Sequence, residues 1–329
     1  MYVSFSIRTV VTIVAATLVI GSQTTPARAD ALKCKAAIIK GGAAFIQANA
    51  KALAKCEEAI VKGKAPVGDC HATAATAITK AVGRLQTGVA KACGGQDRIC
   101  GAGGDDETLA SIGWDISACP NFDNGTCNGT IATCADVSTC LSCIGEATTD
   151  RAIAISYDAL IPTTPEAQKE LNKCQVAIGK AATAFFVAKS KALAKCWGAV
   201  NAGQAANCPV PGDGKAAAAI AKAETKKRSA ICKACGGADK LCNGVGDLDP
   251  AAIGFPAQCP SAAVPNGPVC TTIAVTTLTG LVDCVDCISE FAVDCADRSS
   301  VPAFVPTYPA ECNPILGPTP TATSIEATL

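Results

Sequence analysis

Three sets of residues in this chain have types and spacings that could do chemistry. Cys140-Leu-Ser-Cys143, Cys284-Val-Asp-Cys287 and Cys232-Lys-Ala-Cys235 are CxxC pairs, and thiols at that spacing exchange disulfides, hold zinc or form structural bridges. Asp105 and Glu107 in one Gly-rich loop, and Asp247 and Asp249 in another, present clustered carboxylates of the kind that Ca²⁺ takes. His71 is the only histidine, so any Ser-His-Asp or Cys-His site has to use it.

Each of these carries a plainer structural account. Haem attachment needs a His after the CxxC, where Ile144, Ile288 and Gly236 stand. Thioredoxin-like exchange needs a βαβ setting that a helical sequence lacks, and a four-thiolate zinc site competes with oxidation outside the cell. Structural bridges are therefore expected, with a CxxC thiol-disulfide oxidoreductase as the enzymatic alternative. The acidic loops do not have EF-hand spacing, so solvated turn residues are the simpler reading and a Ca²⁺-dependent adhesion-type module the alternative. Beyond that Ca²⁺ no cofactor is expected. His71 adjoins Cys70 at a hairpin loop, and Pro209 stands at its counterpart, which excludes a duplicated histidine site. No Walker A or Rossmann fingerprint occurs. Asn124-Gly-Thr and Asn128-Gly-Thr fit the N-glycosylation sequon.

The elements that position these residues come in duplicate. Residues 33–56, KCKAAIIKGGAAFIQANAKALAKC, are repeated at 173–196 as KCQVAIGKAATAFFVAKSKALAKC. Ile38, Phe45, Leu53, Cys56 and Ile60 fall on one helical stripe, and Ile178, Phe185, Leu193, Cys196 and Val200 repeat it. If each helix is continuous, its two cysteines stand about 33 Å apart at ~1.5 Å per residue, far beyond the ~7 Å that a disulfide spans. Each long helix is followed by a second alanine-rich segment with its own flanking cysteines. The simplest solution is an antiparallel hairpin stapled at both ends, by Cys34–Cys93 and Cys56–Cys70, and again by Cys174–Cys235 and Cys196–Cys208. After each hairpin come Lys-Ala-Cys-Gly-Gly, an acidic loop, Ile-Gly-(Trp/Phe), Cys-Pro, and a third helix carrying Cys-x-x-Cys-Ile.

Residues 1–29 read as a secretory signal, with Arg8, an apolar run from Val10 to Ile20 and Ala27-Arg28-Ala29 before Asp30. No lipobox precedes Cys34, and no later run reaches the ~20 apolar residues a membrane span needs. All 22 cysteines follow the signal, an even number that reads as a disulfide framework in an oxidising compartment. The predicted organisation is a first cysteine-rich helical repeat at 30–160, a Pro/Thr linker at 161–165, a second repeat at 166–313 and a Pro/Thr-rich tail at 314–329. Nine cysteines are shared between the repeats, so in each repeat one shared cysteine needs a private partner.

Charge alternates along the chain. Residues 30–104 hold 11 Lys/Arg against 5 Asp/Glu, and residues 105–158 hold 1 against 9. Residues 165–246 hold 13 against 5, and 247–300 hold 1 against 7. A net charge of +0 argues against nucleic acid. Each acidic half is expected to fold back on its own basic hairpin. The alternative uses of the pattern are self-association or contact with an anionic envelope surface.

In Lys-Ala-Leu-Ala-Lys-Cys at 51–56 and 191–196, Lys-Ala-Cys-Gly-Gly, Ile-Gly-(Trp/Phe), Cys-Pro and Cys-x-x-Cys-Ile, the chain resembles uncharacterised secreted cysteine-rich tandem-repeat proteins of bacteria. The resemblance implies export and duplication and brings no activity. The expected protein is all-α, secreted or periplasmic: two tandem disulfide-stapled helical units acting as a non-enzymatic structural or binding module.

Overall fold

The computed structural model describes residues 30–102, 104–158, 169–210 and 212–313. The signal, linker and tail expected at 1–29, 161–165 and 314–329 lie outside them. The helices in chain order are α1 (Ala31–Val61), α2 (Cys70–Cys93), α3 (Leu109–Ile112), α4 (Cys134–Ile153), α5 (Lys169–Asn201), α6 (Ala216–Cys235), α7 (Pro250–Ile253) and α8 (Leu278–Ser299). Among the described residues there are only isolated β-bridges, such as Ala118 with Thr130, and no helix is long and apolar enough to cross a membrane.

Local chemistry sets the helix ends. Asp30 and Asp69 cap α1 and α2, their carboxylates accepting from Leu32 N and His71 N, and Thr133 with Asp136 forms a capping box on α4. Thr277 caps α8, its hydroxyl accepting from Gly280 N. Gly94 and Gly95 stop α2, and Gly95 has φ 57°. A side chain at Gly95 would collide with the Asp105 carboxylate, which accepts from Gln96 N at 2.6 Å.

Cys34–Cys93 and Cys56–Cys70 clamp α1 to α2 with Cα separations of 4.8 and 5.6 Å, and Cys174–Cys235 and Cys196–Cys208 clamp α5 to α6 at 4.9 and 5.9 Å. The remaining bridges tie each loop to its own helices: Cys100–Cys134, Cys119–Cys140 and Cys127–Cys143, then Cys232–Cys242, Cys259–Cys284, Cys270–Cys287 and Cys295–Cys312. All cysteines are bridged, and no bridge joins residues 34–143 to residues 174–312. The shared cysteine with private partners is the Cys100/Cys242 position. It closes on the first residue of α4 in one case and on the last turn of α6 in the other.

The two hairpins meet through α1 and α5, which lie side by side and antiparallel. Gln47 Nε2 donates to Ser190 Oγ at 3.3 Å, Asn201 Nδ2 donates to the Leu32 carbonyl at 2.8 Å, and Lys180 pairs with Glu58 at 3.1 Å. The buried face of α1 is consequently wider than one stripe. Ile39, Ile46 and Ala50 are buried together with Ile38, Phe45 and Leu53, because α1 packs against α2, α4 and α5 at once. The Ile-Gly-(Trp/Phe) segments follow one-turn helices that end in left-handed glycines, Gly113 (φ 76°) and Gly254 (φ 97°), and they turn Ile112, Trp114, Ile253 and Phe255 into the core. A Cβ at Gly113 would overlap the backbone of Ala303, so this loop is packed directly under the chain that follows α8.

Where α5 passes the end of the first half, Gly179 lies against the ring of Tyr157, which is 2% exposed and sits in a π-helical turn, Ala154–Asp158, continuing α4. A methyl group there would overlap the ring. Gly179→Ala should therefore destabilise the protein by about 1–3 kcal/mol through overpacking. Gly88→Ala, on an open face of α2 with nothing near the added carbon, should stabilise it by up to ~1 kcal/mol through helix propensity. Paired denaturant titrations check the opposite signs.

Candidate ligand groove

The sequence-predicted site residues are placed as follows. Asp105 caps the turn after α2, and the Asp106 carboxylate accepts from Gly101 N at 2.6 Å. Asp97, Asp105 and Asp106 bring carboxylate oxygens within 4.8 Å of one another. Glu107 instead accepts from Ser111 Oγ at 2.7 Å. In the second acidic loop Asp247 accepts from Gly244 N at 2.8 Å, and Asp249 is the N-cap of α7, accepting from Ala251 N at 3.1 Å. Two carboxylate pairs that look alike in sequence therefore serve different turns. The CxxC cysteines all bridge outward, Cys140 and Cys143 to Cys119 and Cys127, Cys284 and Cys287 to Cys259 and Cys270, and Cys232 and Cys235 to Cys242 and Cys174. Each CxxC segment thus sends its two sulfurs to different partners, two loop cysteines on α4 and α8, and one loop cysteine and one α5 cysteine on α6.

His71 is not a loop residue. It sits in the first turn of α2 because Asp69 starts that helix, and its Nε2 lies 3.0 Å from the Asp150 carboxylate on α4. Burial raises the pKa of nearby Glu146, Asp150 adds to the rise, and His71 opposes it.

The second half carries a longer ladder of charge. Acidic residues on α8 meet basic residues of α5 and α6: Asp283 pairs with Arg228, Asp286 with Lys227, and Glu290 and Asp294 with Lys189 at 3.0 and 2.9 Å. Asp297 accepts from the Trp197 indole N–H at 2.7 Å. Lys189 and Lys227 are 5% and 2% exposed, so both ammonium groups are core groups. Burial alone would discharge Lys189, but Asp294 and Glu290 outweigh it and hold its pKa above the usual lysine value. Lys227 also stands 4.0 Å from the centroid of the Phe185 ring. Burial pushes its pKa down to about 7, against the attraction of Glu224.

Between α5 and α6, beside Lys227, a groove of about 710 Å³ opens to solvent. Its lining is alanine, the Phe185 ring and lysine. Ala184 of α5 and Ala223 of α6 line it, and Lys222 and Lys226 line it from α6. The first hairpin closes the same place. Leu85 occupies the position of Lys227 and is 1% exposed, and its Cδ1 lies 2.9 Å from where a Cβ on Gly41 would be. Replacement of that leucine by a lysine that turns to Asp286, with Ala181 in place of Gly41, leaves the second groove unfilled. No family model, curated protein or solved structure matches the chain.

The groove residues carry none of the usual signs of chemistry in sequence. The available signal was Lys227 itself, a lysine on the apolar stripe of α6 where α2 has Leu85.

Neighbouring atoms enclose the Asp297 carboxyl and push its pKa up to about 7. The Trp197 N–H opposes the shift and Asp294 adds to it. A carboxyl whose pKa is higher in the folded than in the unfolded chain binds its proton preferentially in the folded state. Stability from this group is therefore gained as pH falls from about 7 towards the ordinary carboxylate value of ~4, and lost as pH rises through about 7. Asp297→Asn keeps an acceptor for Trp197 and removes the titration. Thermal melts from pH 5 to 8 should show a smaller decline in the variant than in the wild type, and identical slopes would mean that Asp297 does not titrate in this range.

Proposed function

We propose that the protein is an exported, non-enzymatic, disulfide-framed binding module that uses the α5–α6 groove as its ligand seat. The observation that carries this reading is the difference between the hairpins. Helices pinned at both ends enclose a filled interface around Leu85 and an open, largely apolar cleft around Lys227 and Phe185. Small-molecule sites are clefts of ~300–1,000 Å³ lined mainly by apolar groups with a few charged ones, and the groove has that size and character. The dense bridging supports an oxidising compartment. Every CxxC sulfur is bridged to a partner outside its own CxxC pair, which supports a framework role over thiol exchange.

The test is occupancy of the groove by a neutral solvatochromic dye, Nile red, in the full disulfide-intact protein. Wild type should bind about one equivalent with a blue-shifted emission. Ala184→Trp and Ala223→Trp, each placing an indole in the cleft, should weaken binding by about tenfold or more, a loss of ~1.4 kcal/mol or more. Circular dichroism melts establish that both variants fold. Equal dye binding by wild type and both folded variants would remove the groove as the ligand seat.

A further inference from the structure

The groove's lining narrows the class of ligand, an inference that rests on the groove being the ligand seat. We propose that it takes a single-chain amphiphile with an anionic head, a long-chain carboxylate free in solution. The floor is the Phe185 ring and alanine methyl groups, which offer no hydrogen bond to a polar ligand body, and every charged residue of the lining is a lysine. These lysines are not equivalent. Lys227 is committed to Asp286 and Lys180 to Glu58, whereas Lys222 and Lys226 are exposed and, among the described residues, in no ion pair. They stand one helical turn apart on the same edge, so two uncommitted ammonium groups border an apolar trough, a surface complementary to one negative head and a hydrocarbon chain.

Shape agrees with charge. The lining runs from Ala177 to Ala188 on α5 and from Ala219 to Ala230 on α6, a length of roughly 16 Å at ~1.5 Å per residue. Cys174–Cys235 and Cys196–Cys208 hold the helices together at both ends of the hairpin. The cleft therefore cannot spread to admit a peptide helix, whose diameter with side chains is ~10–12 Å. A slim, extended hydrocarbon chain needs no such opening.

Calorimetry on the intact protein, with ligands kept below their micelle-forming concentrations, tests the proposal directly. Affinity should rise from hexanoate through octanoate to decanoate, by up to about fourfold for each buried methylene. Decanoate should bind about tenfold more tightly than decan-1-ol or decylamine, within reach of two rim charges. The double variant Lys222→Gln/Lys226→Gln, altered only at exposed positions and checked for folding by its circular dichroism melt, should lose the preference for decanoate over decan-1-ol. Equal affinity for decanoate and decanol in the wild type, or an undiminished preference in the double variant, overturns the anionic-head assignment. If Nile red still occupies the groove, the binding-module reading survives that result. Flotation with phosphatidylglycerol vesicles separates the sources. The protein should stay with the aqueous fraction, and co-flotation without calorimetric binding of decanoate would replace the free ligand by a membrane surface.

Discussion

Clamping both ends of each long helix to its neighbour is the constraint on which the rest of the structure depends. The helices are rich in alanine, and aromatic residues make up 4% of the chain. Apolar area buried per residue is therefore small, and the hydrophobic contribution to holding two such helices together is correspondingly weak. Cys34–Cys93 and Cys174–Cys235 close loops of 59 and 61 residues. In the chain-entropy account each such closure contributes about 4 kcal/mol by restricting the unfolded chain. With spacing and alignment held covalently, side chains at the middle of a hairpin are released from having to hold it together. That freedom allows one hairpin to interlock Leu85 over Gly41 while the other carries Lys227 and an open groove at the same place.

Buried charge follows from the same arrangement. Lys189 is tolerated in the core because α8 sets Glu290 and Asp294 against it, so that desolvation is outweighed by close opposite charge, whereas at Lys227, beside Asp286, burial still lowers the pKa. In the first half Asn49 stands at the position of Lys189 and is fully buried, while Glu146 and Asp150 stand at the positions of Glu290 and Asp294. There the residue beside the acidic pair is His71, from the start of α2, with Nε2 3.0 Å from Asp150. The acidic pairs on α4 and α8 thus meet different bases from different helices. The alternation of sign along the chain becomes, in the second half, a set of contacts between one hairpin and its own third helix.

Much was legible in sequence where the physical rule is local. Helical periodicity specifies the all-α class, and the length of a continuous helix forbids Cys34 from reaching Cys56. Such arguments need only residue spacing and backbone geometry. Cys100 and Cys242 show where spacing runs out, since the same shared cysteine closes on α4 in one half and on α6 in the other. Which sulfur lies within reach depends on how a loop folds back over a helix.

The sequence by itself determined the helices, their duplication and the segregation of charge, because these are properties of neighbours along the chain. Only the tertiary structure decided that α1 and α5 pack antiparallel, that Gly179 accommodates Tyr157, and that Lys227 meets Asp286 of α8. Each of these depends on a group from a different helix or the turn that continues it, and no local periodicity encodes that proximity. The groove is the clearest case. It exists because a lysine at a core position finds Asp286 on α8 rather than filling the cleft beside it, and the presence of that partner is a fact of packing.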